Sequence, residues 1–137
     1  MTIEDLDRLV ARGSTLVTCP RSNGHTGAGA PPIEDFYNYG VDVAVGTDSL
    51  ASAPDLNVFA ELATLRALAP SVSAGALLDS ATRQGARALG FDADYGTIEP
   101  GKSARLLVVT LPSRLSDVEE YLVSGIGPDE IRWLDEI

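Results

Sequence analysis

Asp48 is the residue of this chain best placed to do chemistry, in Val45-Gly46-Thr47-Asp48-Ser49. It follows the apolar run Val41–Gly46, which reads as a strand, so its carboxylate is expected at that strand's C-terminal end. Barrels built from α/β units place their active sites at that edge. A carboxylate there can bind a divalent metal, or take a proton from a water that the metal has acidified. It can equally cap the following loop through an Asx turn. On residue type and position alone the two readings are even.

Few other side chains offer comparable chemistry. His25 is the only histidine and Cys19 the only cysteine. A catalytic zinc site takes about three protein ligands, commonly with two or more histidines. Imidazole and thiolate alone therefore cannot build one from this sequence. His25 reads as a solvent-exposed loop residue. Cys19 has no evident histidine or helix N-terminus beside it to lower its thiol pKa, and reads as a small buried residue. The Gly24–Gly29 stretch lacks both the Lys-Ser/Thr pair of a phosphate loop and the G-x-G-x-x-G spacing. It reads as backbone that passes close to a ligand or a neighbouring loop.

The elements that position these residues follow from periodicity. Ile3, Leu6, Leu9 and Val10 recur at helical spacing, with Thr2 and Asp5 as a capping pair and Gly13 beyond the end. Ser14–Cys19 reads as a buried strand stopped by Pro20, and Arg21–Ala30 as a Gly-rich loop. Pro31-Pro32 opens a short helix through Tyr39. Ser52, Pro54 and Asp55 start another, with Leu56, Phe59, Ala60 and Ala63 on one face. A long helix is expected over Ser73–Leu89, closed by Gly90. Helices alternating with strands over short loops imply a parallel sheet, so Cys19–Asn23 and Thr47–Ser49 should emerge at one edge. After Gly90 the texture changes to a turn-rich segment and a strand over Ala104–Thr110. A closing strand follows over Glu130–Ile137. The domains are therefore expected at 1–91 and 92–137.

Composition narrows the function further. The chain has 137 residues, of which 45% are hydrophobic, enough for an ordinary globular core and too apolar for disorder. A net charge of −10 argues against a nucleic-acid groove or an anionic membrane surface as partner. A single cysteine allows no internal disulfide. The acidic N-terminus is not a signal peptide, and no run of about 18 apolar residues spans a membrane. The expected location is the cytoplasm.

Thr18-Cys19-Pro20-Arg21-Ser22-Asn23 followed by Gly46-Thr47-Asp48-Ser49 resembles the last two barrel strands of the amidohydrolase superfamily. The nearest branch is cytosine-deaminase-like, with adenosylhomocysteine, aminofutalosine and guanine deaminases and the triazine chlorohydrolases. Leu56–Leu62 resembles the helix after the eighth strand. Ala81–Gly90 and Gly96–Ala104 resemble the stretch where the family's chain leaves the barrel for a small composite β-domain. The resemblance covers essentially the whole chain. It implies an α/β fold: the C-terminal part of a metal-dependent hydrolase TIM barrel, its last two strands with their helices, plus part of that β-domain.

What the resemblance implies about the site is specific. Asp48 matches the aspartate that binds the metal and shuttles a proton from the attacking water. Arg21 and Asn23 match the strand-seven loop that borders the substrate, and Ser49 and Ser52 sit beside it. One divalent metal is implied, zinc first and iron second. The family's His-x-His and two further histidines would precede residue 1. Arg105 stands where the family has aspartate, in Lys102-Ser103-Ala104-Arg105-Leu106, and a packing consequence is expected. The parent enzyme would be a deaminase acting on the C–N bond of an amidine-like ring in a small-molecule substrate. A barrel of about 250 residues closes with eight strands, and two are read here. This chain alone is thus expected to be an inactive fragment that needs a missing N-terminal portion or a homo-oligomer. The alternative is a non-enzymatic remnant or interaction subunit with a partner chain.

Overall fold

The computed structural model describes residues 1–134. The last three residues of the expected closing strand, 135–137, lie outside that range. Helix α1, Ile3–Ala11, begins with the reciprocal cap that its sequence suggests. Asp5 N donates to Thr2 Oγ1 at 3.3 Å, and Thr2 N donates to Asp5 Oδ2 at 2.8 Å. Strand β1, Thr15–Thr18, pairs in parallel with β2, Asp42–Val45, in the register Thr15 with Asp42 through Thr18 with Val45. The two strands form a sheet of their own. One expectation fails here. β1 is not fully buried, and Val17 is 57% exposed, because no layer of the described residues covers that face.

Three helical readings are corrected. The stretch after Cys19 is helix α2, Pro20–Thr26, not a loop. Pro20 at its first position suits the fixed φ of proline, and Gly27 closes it at φ 71. Cys19 therefore does stand at a helix N-terminus, as the N-cap of α2. Helix α3 spans Ile33–Asn38. Helix α4, Val58–Leu68, starts at Asn57 rather than in the Ser52–Asp55 stretch, its side chain accepting from Phe59 N at 3.0 Å. Its buried side chains are Glu61, Leu62 and Leu65, while Leu56 is exposed. The long helix breaks at Thr82 into α5, Ala74–Ala81, and α6, Arg83–Ala88. Thr82 has φ −119 and ψ −90, and its hydroxyl donates back to Leu78 O at 2.9 Å.

The core lies between β2 and the helices. Val43, Ile33, Phe36, Leu62, Leu65 and Leu77 are buried in one cluster, joined by Leu6 of α1. Each buried leucine contributes about 1.5–3 kcal/mol relative to exposure. Helix α6 is tied to the start of β2. Arg87 Nη1 donates to Asp42 Oδ2 at 2.9 Å, and Gln84 Nε2 donates to Asp42 Oδ1 at 3.1 Å.

The later part is built differently. Gly96, at φ 93, presses so closely on α6 that a Cβ there would lie 2.7 Å from the Ala86 Cβ. Strand β3, Leu107–Val109, pairs antiparallel with β4, Ile131–Trp133. Both are shorter than their sequence suggested, and Glu130, read as the start of the closing strand, ends a 3-10 turn, Pro128–Glu130. Helix α7, Val118–Leu122, falls in an acidic stretch with no helical reading, and Arg66 Nη2 of α4 holds Glu120 at 2.8 Å. Arg105, just before β3, lies over the Trp133 ring of β4 at 5.3 Å, a cation–π contact. An apolar concavity of about 690 Å³ lies between Phe59 and Leu62 on one side and Leu107 and Val109 on the other.

Candidate metal and active site

Parallel pairing brings the ends of β1 and β2 to one edge, and the chain beyond each carries the site. After Val45 the backbone turns at Asp48, whose φ of 59 makes it the one non-glycine residue in the left-handed region among the described residues. Aspartate tolerates this conformation better than most residues. The chain then folds back, Ser52 N and Ala53 N both donating to Ser49 O at 3.0 Å. That turn presents Ser52 to Asp48 from one side, while α2 presents Ser22 from the other.

The two hydroxyls converge on one oxygen. Ser22 Oγ donates to Asp48 Oδ2 at 2.8 Å, and Ser52 Oγ lies 3.0 Å from the same atom. Ser22 and Ser52 are themselves 2.8 Å apart and both buried. Donation from Ser22, then from Ser52, holds the Asp48 carboxyl below the usual carboxylate range. Asp48 is therefore ionised at neutral pH, exposed, and held in one orientation. Such a group can serve as one oxygen ligand to a divalent cation or as a proton acceptor.

Asp48 lines an open concavity of about 440 Å³ together with Thr18, Cys19, Ser22 and Asn23. Of the residues read from sequence, Asn23 thus shares this space with Asp48. Ser49 is exposed in the turn and supplies its carbonyl to hold that turn together. Arg21 lies at the start of α2. Its guanidinium is directed at Asp55 Oδ1 at 2.7 Å and Asn57 O at 3.4 Å. His25 is exposed in the last turn of α2. Burial is the main cause that pushes the Cys19 thiol pKa up, with the Asp48 charge adding to it, so Cys19 is no thiolate.

Two contributors escaped the sequence reading. Ser22 lay in a stretch expected at the same sheet edge as Asp48 but read as loop, so its hydrogen bond to Asp48 was not visible. Glu61 was an unremarked position on α4, yet its carboxylate is fully buried against α2. A carboxylate in the stripe of an otherwise apolar helix was the one available signal for it. Among the described residues no group of three His, Cys, Asp or Glu side chains is placed to hold a metal ion. Asp48 thus fits one position of a metal's coordination shell and does not make a shell by itself.

The model of the amidohydrolase family matches residues 1–126. This chain belongs to that family. A 5-methylthioadenosine/S-adenosylhomocysteine deaminase of Moorella thermoacetica is 31% identical over 162 residues, covering 98% of this chain and 38% of that protein. An aminodeoxyfutalosine deaminase of Deinococcus radiodurans is 40% identical over 90 residues, covering 66% of this chain and 22% of that protein. A crystal structure of an adenosine deaminase from Xanthomonas campestris with bound zinc superposes with a TM-score of 0.89 at 34% identity, covering 96% of this chain and 32% of that one. The chain spans roughly a third of the length of curated relatives that it matches nearly end to end. No helix among the described residues is long and apolar enough to cross a membrane.

Proposed function

We propose that this chain is the C-terminal share of a metal-dependent deaminase. Residues 1–91 supply the last two barrel strands with their helices, and 92–137 part of a small composite β-domain. The reaction is hydrolysis of a C–N bond in an amidine-like ring, an aminopurine or related heterocycle, with water entering and ammonia leaving. The single observation that carries this reading is an exposed Asp48 just beyond the C-terminal end of β2. Its Oδ2 is fixed by Ser22 and Ser52.

In this reading Asp48 is both a ligand and the proton carrier. A divalent metal, zinc or else iron, supplies when bound the acidification of a water molecule near pH 7. Asp48 accepts the proton from the attacking water and returns it to the departing nitrogen. The two hydroxyls on Oδ2 keep the carboxylate ionised until then and fix its direction. Asn23 and Ser49 border the substrate beside it, and Arg21 at the head of α2 bounds the same side. The remaining ligands, the family's histidines, would come from an N-terminal portion. The net charge of −10 supports a small-molecule substrate rather than nucleic acid or an anionic membrane, and a single cysteine fits the cytoplasm.

A second reading, a non-enzymatic interaction subunit, is favoured by one feature: a two-stranded parallel sheet with an exposed Val17, which invites a covering partner. The test separates the two. The purified chain, supplied with zinc or iron, is expected to release no ammonia from adenosine-type nucleosides. Turnover that survives rigorous purification and vanishes in Asp48→Ala would overturn the fragment reading. A monodisperse folded chain that captures a defined partner would favour the interaction subunit.

A further inference from the structure

Glu61 is the one charged side chain in the buried set of the described residues, with no exposure. A carboxylate is costly to remove from water unless it is bonded where it lies. Its Oε2 accepts from Arg21 N at 3.0 Å. Helix α2 needs that acceptor. Pro20 at its first position has no N–H, and its N-cap Cys19 makes no side-chain cap. The Arg21 amide is thus the first orphan donor of α2, and α4 caps it from forty residues away. The other oxygen, Oε1, has no hydrogen-bond partner and lies 3.7 Å from Arg21 Nη1.

Arg21 is gripped from a second direction. Its guanidinium donates to Asp55 Oδ1 and Asn57 O, both in the segment that runs from Asp48 to α4. Its backbone therefore answers to α4, and its side chain to the loop behind Asp48. The next residue, Ser22, donates to Asp48 Oδ2, and the one after, Asn23, lines the concavity. We propose that Glu61, acting through Arg21, is a positioning residue for the site: it sets the start of α2 so that Ser22 meets Asp48. The functional meaning of this clamp rests on the reading of Asp48 given above. The clamp itself does not, so the two can fail separately.

A cap that merely stabilised the fold would leave the Ser22–Asp48 contact as it is. The measurement is a double-mutant cycle of Ser22→Ala with Asp48→Gly, read by urea unfolding of the full 137-residue chain. It is repeated in the Glu61→Gln and Glu61→Ala backgrounds. In the unaltered background the pair is expected to couple by about tenfold in the folding equilibrium constant, the worth of a hydrogen bond to a charged group. Glu61→Gln should keep that coupling, because its amide oxygen still accepts from Arg21 N. Glu61→Ala should reduce it to within about twofold of none. Coupling undiminished in Glu61→Ala overturns the proposal. Should Glu61→Ala fail to fold, Glu61→Met fills the same space without an acceptor for Arg21 N and is expected to leave less than about threefold coupling. Full coupling there overturns it equally.

Discussion

Two aspartates stand at opposite ends of β2 and are treated in opposite ways. Asp42, at the N-terminal end, gives one oxygen to Arg87 and the other to Gln84, both from α6. Its charge is answered by a guanidinium and its place is fixed by a helix. Asp48, beyond the C-terminal end, accepts from two neutral hydroxyls and lies on an open concavity with its backbone at φ 59. The same side chain is spent on joining sheet to helix at one end and kept ionised and accessible at the other. What distinguishes a candidate catalytic carboxylate is thus the kind of partner: donors that orient it without neutralising it.

That contrast can be broken by substitution. The largest effect belongs to the layer on which both ends lean. Leu65→Ala, at a side chain with no exposure, is expected to cost about 2–5 kcal/mol in denaturant unfolding. A smaller value would mean that the helix layer is not the shared support. Asp42→Ala comes next, at about 1 kcal/mol, since it leaves a half-exposed Arg87 and the Gln84 amide without their acceptor. An unchanged unfolding midpoint would remove the structural role assigned to Asp42.

Asp48→Gly should show the smallest effect. Glycine enters the left-handed region without a Cβ penalty, which offsets the loss of two hydroxyl bonds. The pH dependence carries a definite sign. A carboxyl held below its ordinary pKa contributes stability above the unfolded value and loses it as pH falls through the folded one. On acidification through the carboxylate range wild type should therefore lose thermal midpoint relative to Asp48→Gly, because the backbone advantage of glycine does not titrate. A wild-type midpoint that gains on that of Asp48→Gly as the pH falls would contradict the hydroxyl-donation account. A loss as large as that of Leu65→Ala at neutral pH would make Asp48 a structural residue of the Asp42 kind.

Much of this was legible in the sequence where the determinants are local. The periodicity of Ile3, Leu6, Leu9 and Val10 gave α1 with its cap, and the apolar run before Gly46 gave β2 and so the place of Asp48. What the sequence hid depends on distant partners. Glycines at 24, 27 and 29 disguised α2, because the group that caps it is Glu61 of another helix. The break at Thr82 was hidden for a related reason: strong helix formers lie on both sides, and the Gly96 turn packed against α6 is remote in sequence. The join of Ser22 to Asp48 exists only once the two strands have paired.

The pairing of β1 with β2 also bears on the order of events in time. Thr15 meets Asp42 only after the intervening α2 and α3 have compacted, and such distant closures come at an entropic cost that neighbouring helices avoid. Helices α4 and α5, adjacent along the chain, have no such delay. The expected sequence is therefore helices first, the parallel pair later, and the meeting of Ser22, Asp48 and Ser52 last. A molecule caught partway would have most of its helical content and none of its site.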